Sequence, residues 1–262
     1  MNVDGCTALV TGASAGLGRE FARQLATRAG GLVLVARRTE RLEELRDELT
    51  AHYPDLGVHV RGVDLSQAAE VAELADWILR EGIAVDLLVN NAGLGDRGQF
   101  LRGDPQRIID MLQVNVAALT ILTRYLLPQM IERKRGFILN VSSSASFLPM
   151  PGFAVYAATK AYVTSFSEAL RMELHGTGVN VTALCPGPVH TEFDTVALRP
   201  DEPSPVAPEF TYVSAEDVVR AALAAVERET PVVIPGAVMK MAAALLRATP
   251  MPVLRAVGRF QN

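Results

Sequence analysis

Thr7-Ala8-Leu9-Val10-Thr11-Gly12-Ala13-Ser14-Ala15-Gly16-Leu17-Gly18 is the stretch that decides how this chain folds. Thr7–Val10 reads as a buried strand, and the three glycines that follow it precede an amphipathic helix from about Gly16 to Ala29. Glycines there permit a tight turn and let backbone amides approach a pyrophosphate at a helix N-terminus, where unsatisfied N–H groups and the dipole favour negative charge. Alone, such a string is often only a turn. Between a first strand and a first helix it points to a dinucleotide.

Working outward, apolar strand-like runs alternate with longer helical patterns. The strand-like runs are Leu32–Ala36, Val58–Val63, Val85–Asn90, Phe137–Val141, Val179–Leu184 and Val232–Ile234. The helical patterns cover Thr39 to about Ala51, Ala68–Leu79, Pro105–Gln113, Val116–Arg133, Phe153–Leu174 and Ala215 to about Arg228. Such alternation predicts an α/β fold: a doubly wound parallel sheet of about seven strands, covered on both faces, in one domain over residues 1–262.

With 262 residues and 49% hydrophobic content, the chain can bury a large core. A net charge of −4 leaves no basic footprint, so a nucleic-acid partner is not expected. Cys6 and Cys185 are too few and too apolar in setting for a disulfide framework or a metal cluster, which places the chain in a reducing, cytoplasmic compartment with no metal site. The opening residues show no charged-then-apolar leader, and a signal peptide is not expected.

The carboxyl ends of the strands carry the polar residues. The second strand ends Ala36-Arg37-Arg38, where a ribose-binding acid would be expected about twenty residues past the glycine turn. Guanidinium groups match a phosphate in charge and fork geometry, which favours NADP(H) over NAD(H); the plain alternative is that Arg37, Arg38 and Arg41 begin a solvated helix. Asn115 lies mid-helix among apolar residues and needs hydrogen-bond partners. Ser143 follows the fifth strand, and thirteen residues on, Tyr156-Ala-Ala-Thr-Lys160 sets a phenol and an amine on one helix face. An ammonium beside a phenol favours the phenolate and lowers its pKa.

Six motifs together resemble the short-chain dehydrogenase/reductase family. They are Thr11–Gly18, with three residues and then one between its glycines, Asn90-Asn91-Ala92-Gly93, Asn115, Ser143, Tyr156 with Lys160, and Cys185-Pro186-Gly187-Pro188-Val189-His190-Thr191, in the family's order and spacing. The resemblance implies a Rossmann-type fold and hydride transfer between NADP(H) and a carbonyl or alcohol. It implies that Tyr156 is the general acid, Ser143 holds the substrate oxygen, Lys160 holds the nicotinamide ribose, and Asn115 kinks its helix and holds a water behind the lysine. For the cofactor it implies Gly12, Ser14, Gly16, Leu17 and Gly18 at the pyrophosphate and Arg37 and Arg38 at the phosphate. It implies Asp64 and Leu65 at the adenine, though Asp64 reads equally as a helix N-cap. Asn91, Ala92 and Gly93 would lie behind the turn and beside the adenine ribose, and Pro186, Gly187, Val189 and Thr191 at the carboxamide. His190 is read as a loop residue. Relatives of this kind pair their long central helices as homodimers or homotetramers, which the apolar content of Ile108–Leu127 and Val155–Leu170 permits.

Residues 192–213 read as a proline-rich irregular loop, with Pro200, Pro203, Pro205 and Pro208 and interspersed Phe193, Leu198 and Phe210. Such a loop is a lid or simply covers the sheet edge. With the apolar Phe147–Pro151 opposite, it suggests a small apolar ketone or secondary alcohol. A helical extension, about residues 236–262, contains Val238–Arg247 and a second apolar piece, Met251–Val257. It is too short and interrupted for a transmembrane segment, and its docking place is the domain, a partner subunit or, through Lys240, Arg247, Arg255 and Arg259, a membrane surface. The expectation is therefore an NADP(H)-dependent oxidoreductase; the alternative is a non-catalytic NADP(H)-binding redox sensor or scaffold.

Overall fold

Successive residues of the first strand bury opposite faces of one sheet. Ala8 and Val10 pack into one apolar cluster, with Phe21 and Leu25, and Leu9 into another, with Ile78 and Leu122. The computed structural model describes residues 2–199, 208–249 and 252. The sheet is built from β1 (Thr7–Thr11), β2 (Gly31–Ala36), β3 (Gly57–Gly62), β4 (Leu87–Asn90), β5 (Gly136–Val141), β6 (Val179–Leu184) and β7 (Val232–Val233). Their order is β3-β2-β1-β4-β5-β6-β7 and every pairing is parallel. β4 and β5 are buried at every position, which is why they read as mainly apolar runs, with only Asn90 and Asn140 polar.

Helices α1 (Gly16–Ala26), α2 (Thr39–His52) and α8 (Ala215–Glu227) cover one face. The other carries α3 (Ala68–Arg80), α4 (Pro105–Leu112), α5 (Leu119–Glu132) and α6 (Ala154–Glu173). The chain crosses to the other side of β1 between β3 and β4, so the strand order reverses between β1 and β4, and ligands of open α/β sheets bind in the crevice at that switch point.

Two expected helices are one. Pro105–Glu132 is continuous over 28 residues, with a π-helical segment, Gln113–Ala118, at its middle. The helix is long and apolar enough by composition to cross a membrane, but Val114, Ala118, Leu122, Leu126 and Met130 are buried in the core against the sheet. Its apolarity is that of a packed core helix.

The segment expected to be irregular is partly ordered. Glu192–Ala197 forms a short helix, α7, and Glu209–Thr211 one 3₁₀ turn; Pro200, Pro203 and Pro205 lie outside the described residues. Thr191 caps α7 by accepting from Phe193 N. In the tail, α9 (Ala237–Ala248) docks on the domain. Of Met251–Val257 all but Pro252 lies outside the described residues, as do Arg255 and Arg259.

Candidate active site

Thr11 organises the start of the crevice. Its hydroxyl donates to Val89 O and accepts from the backbone N–H groups of Asn91 and Ala92. The Asn91 amide returns to Thr11 O at 2.8 Å, so the asparagine holds the glycine turn from behind. Asn90 turns the other way, into the core, donating to Asn140 and Thr123. Gly12 has φ of 68°, and a Cβ there would stand 2.9 Å from Ala92 Cα. A Cβ on Gly18 would meet Gly12 O at 2.2 Å. Only glycine lets helix and turn approach so closely.

A cavity of about 750 Å³ opens along the carboxyl edge of the sheet. Every site residue expected from sequence lines it except Gly18 and Asn115. Gly18 lies behind the turn, where its role is the close packing just described. Asn115 stands in the π segment, donating to Leu94 O at 2.9 Å and Thr159 Oγ1 at 3.0 Å and accepting from Leu94 N at 2.8 Å. Both amide protons are thus taken by protein acceptors. The pairing accounts for the inserted residue: it binds the helix to the loop after β4 as backbone would bind backbone.

The candidate reactive residues come from the loop after β5 and from α6. Ser143 follows β5, accepts from Ala145 N at 3.1 Å and hydrogen-bonds the Tyr156 phenol. The Tyr156 ring is clamped by Phe153, stacked at 4.2 Å, and by Phe193 of α7 at 5.4 Å. Lys160 is buried, and its Nζ donates to Val141 O at 2.8 Å. Ser142 holds the same turn of α6 by donating to Lys160 O.

Burial governs both protonation states. The phenol is pushed up to about 12 by desolvation, opposed by the Ser143 hydrogen bond and raised further by Asp194. The amine is pushed down to about 8 by desolvation. The expected lowering of the phenol by its neighbouring amine is therefore outweighed; Lys160 Nζ stands 5.6 Å from the ring centre and its proton is directed at the backbone.

At the opposite end, Ala36 is buried and Arg37 and Arg38 are exposed at the cavity rim. The Asp64 carboxylate accepts from Ser66 N and Oγ, and the first helical turn beyond begins after Gln67, so Asp64 does not cap α3. Thr191 meets the glycine turn: a Cβ on Gly16 would lie 3.3 Å from its side chain.

Sequence reasoning passed over several participants. Met239, Ala243 and Leu246, spaced for one face of α9, line the cavity; the i, i+4, i+7 spacing was the available signal. Asp96, nearly inaccessible, is paired with Arg199 and Arg107. With the backbone bond from Arg97 N to Ala197 O, this cluster straps the end of α7 to the loop after β4. Glu192, at the start of α7, reaches Arg38 and Arg41.

The profile of the family described as short chain dehydrogenase matches residues 6–201. An NADP-dependent 3-hydroxy acid dehydrogenase of Escherichia coli is 38% identical over 196 residues, 74% of this chain and 77% of the relative. A short-chain dehydrogenase from Sphingobium yanoikuyae, solved in complex with NADPH, superposes with a TM-score of 0.79 at 30% identity, over 94% of this chain and 97% of that one. A bulky-bulky ketone specific alcohol dehydrogenase from Comamonas testosteroni gives 0.77 at 30% identity, over 94% and 95%.

Proposed function

The chain belongs to the short-chain dehydrogenase family, and from that premise we propose that it is an NADP(H)-dependent oxidoreductase interconverting an apolar ketone and its secondary alcohol. The observation that carries the proposal is the grouping of Ser143, Tyr156 and Lys160 at one end of a cavity whose other end presents Arg37 and Arg38.

The residues fit the dinucleotide. Gly12, Ser14, Gly16 and Leu17 line the cavity where the turn enters α1, so its backbone N–H groups could meet a pyrophosphate, and Ala36 leaves room for a phosphate where an acid would repel it. Arg37 and Arg38 would hold the 2′-phosphate, Asp64 and Leu65 the adenine, and Asn91 to Gly93 the adenine ribose. Pro186, Gly187, Val189 and Thr191 would hold the carboxamide end. When bound, NADPH supplies the hydride.

The protein's own part is position and proton. Ser143 and Tyr156 converge on the substrate oxygen, and Tyr156, which keeps its proton through the neutral range, delivers it as general acid. Lys160 would hydrogen-bond the nicotinamide ribose while anchored to Val141 O. Asn115 is a positioning residue, acting through Thr159, whose hydroxyl also donates to Tyr156 O. Leu94, Met150, Phe193, Val196, Met239 and Leu246 make the substrate end apolar, which supports a ketone with hydrocarbon substituents. Exposed Ile109, Leu112, Tyr125 and Tyr162 on the central helices support a homodimer or homotetramer through that face, and the free buried Cys6 and Cys185 support a reducing, cytoplasmic compartment.

Absorbance of NADPH followed against a panel of aryl, branched and small polar carbonyl compounds tests the reading. Oxidation with apolar ketones is expected. Tight NADPH binding with no turnover of any member contradicts it.

A further inference from the structure

Arg38 and Arg41 reach the same carboxylate. Glu192 Oε2 accepts from Arg38 Nη1 at 2.9 Å, and its Oε1 from Arg41 Nη1 at 2.7 Å, across more than 150 residues of sequence. The other edge of the Arg38 guanidinium is turned to Ser14, with Nε and Nη2 at 3.4 and 3.3 Å from the hydroxyl. Ser14, Arg38 and Glu192 all line the cavity. An anion thus already occupies the guanidinium pair just past the end of β2, beside Ala36, where the cofactor reading puts a phosphate.

We infer that Glu192 is an internal competitor for the 2′-phosphate of NADP(H), and thereby a residue that sets how sharply the chain discriminates NADP(H) from NAD(H). The inference rests on the cofactor reading above. A phosphate is the stronger partner for a guanidinium fork, with more charge and three acceptor oxygens against two. The carboxylate is a displaceable stand-in because Arg38, Arg41 and Glu192 are 45%, 41% and 49% exposed, and ion pairs so open to water are screened. Whatever fraction of molecules holds the carboxylate in place lowers the apparent phosphate affinity by that fraction. NAD(H), with a hydroxyl at the same carbon, does not need the pair vacated. Glu192 also begins α7, whose next residue, Phe193, packs on Tyr156, so the competitor ties the cofactor rim to the substrate wall.

Calorimetric titration of the full chain with 2′-AMP, NADP⁺ and NAD⁺ separates the outcomes. Glu192→Gln keeps the shape of an exposed side chain and removes its charge. It is expected to bind 2′-AMP and NADP⁺ about three- to tenfold more tightly than the parent, and NAD⁺ within about twofold of it. Glu192→Asp, whose shorter side chain reaches the pair less well, is expected to lie between. Unchanged or weaker 2′-AMP binding in Glu192→Gln, in a parent that still prefers NADP⁺, overturns the inference and leaves the cofactor reading standing. A parent that binds NAD⁺ as tightly as NADP⁺ and gives no heat with 2′-AMP overturns both.

Discussion

Lys160 directs its amine onto a strand: Nζ donates to Val141 O at 2.8 Å while standing 5.6 Å from the centre of the Tyr156 ring. The lysine is thus fixed at the end of β5 and buried, and burial lowers its pKa to about 8. Two consequences follow for pH and stability.

Between pH 8 and the ordinary lysine value of 10.5, the unfolded chain binds a proton at Lys160 that the folded chain does not, so this residue makes stability rise with pH across that window. Below it, the charged, buried amine costs about 3 kcal/mol by the size of the shift. Lys160→Met removes that cost and forfeits one hydrogen bond to Val141 O, worth about 1–2 kcal/mol. The variant is expected to melt a few degrees higher than the parent at pH 7 and to be inactive, as read by calorimetry and turnover. Tyr156 works in the opposite sense: with its pKa raised to about 12, its contribution to stability falls as pH rises from 10 to 12. Alcohol oxidation, which needs the phenolate, should climb through the alkaline range, while ketone reduction is flat below pH 8.

Gly18 tests the geometry of the turn. A methyl group there would be driven into Gly12 O, and the turn cannot retreat because Asn91 holds it. Gly18→Ala is expected to cost about 2 kcal/mol or more by denaturant unfolding and to weaken dinucleotide binding with it. Unchanged affinity in the stable fraction would mean that the turn tolerates displacement.

Asn115 tests the link between helix and loop. Asn115→Ala strands the N–H and the C=O of Leu94, each satisfied now by the asparagine. The expected loss is about 2–4 kcal/mol, with faster amide exchange at Leu94.

Arg37 tests the cofactor assignment independently of Glu192. It stands exposed at the cavity rim past the end of β2. Arg37→Asp exchanges an attraction for a repulsion, and the ratio of NADP⁺ to NAD⁺ affinity should fall by about 30-fold or more. An unchanged ratio would remove Arg37 from the phosphate site.

The strands were legible because β4 and β5 are buried throughout and are apolar but for Asn90 and Asn140, which pair with each other in the core. The lining of the cavity was legible because the glycine turn, Asn91, Ser143 and Pro186 each follow a strand end, and the topology brings strand ends together. What escaped depends on partners far along the chain. The π segment looks like ordinary helix until Leu94 is seen to engage Asn115 from 21 residues away. Arg38 and Glu192, like Asp96 and Arg199, meet across more than 100 residues, and charges carry no periodicity that announces a partner. Spacing put an amine near Tyr156 and so suggested a lowered pKa; the opposing effect, burial by Phe153 and Phe193, is a property of the packed molecule.

The proton-donating role of Tyr156 is the central claim, and Tyr156→Phe tests it most directly. The phenylalanine ring keeps the stacking on Phe153 and loses only the hydroxyl that Ser143 engages. Measured side by side, NADP⁺ affinity should stay within about threefold of the parent, while kcat/KM for ketone reduction falls by about 100-fold or more. A variant that keeps its cofactor and still reduces ketones at close to the parent rate would contradict the account.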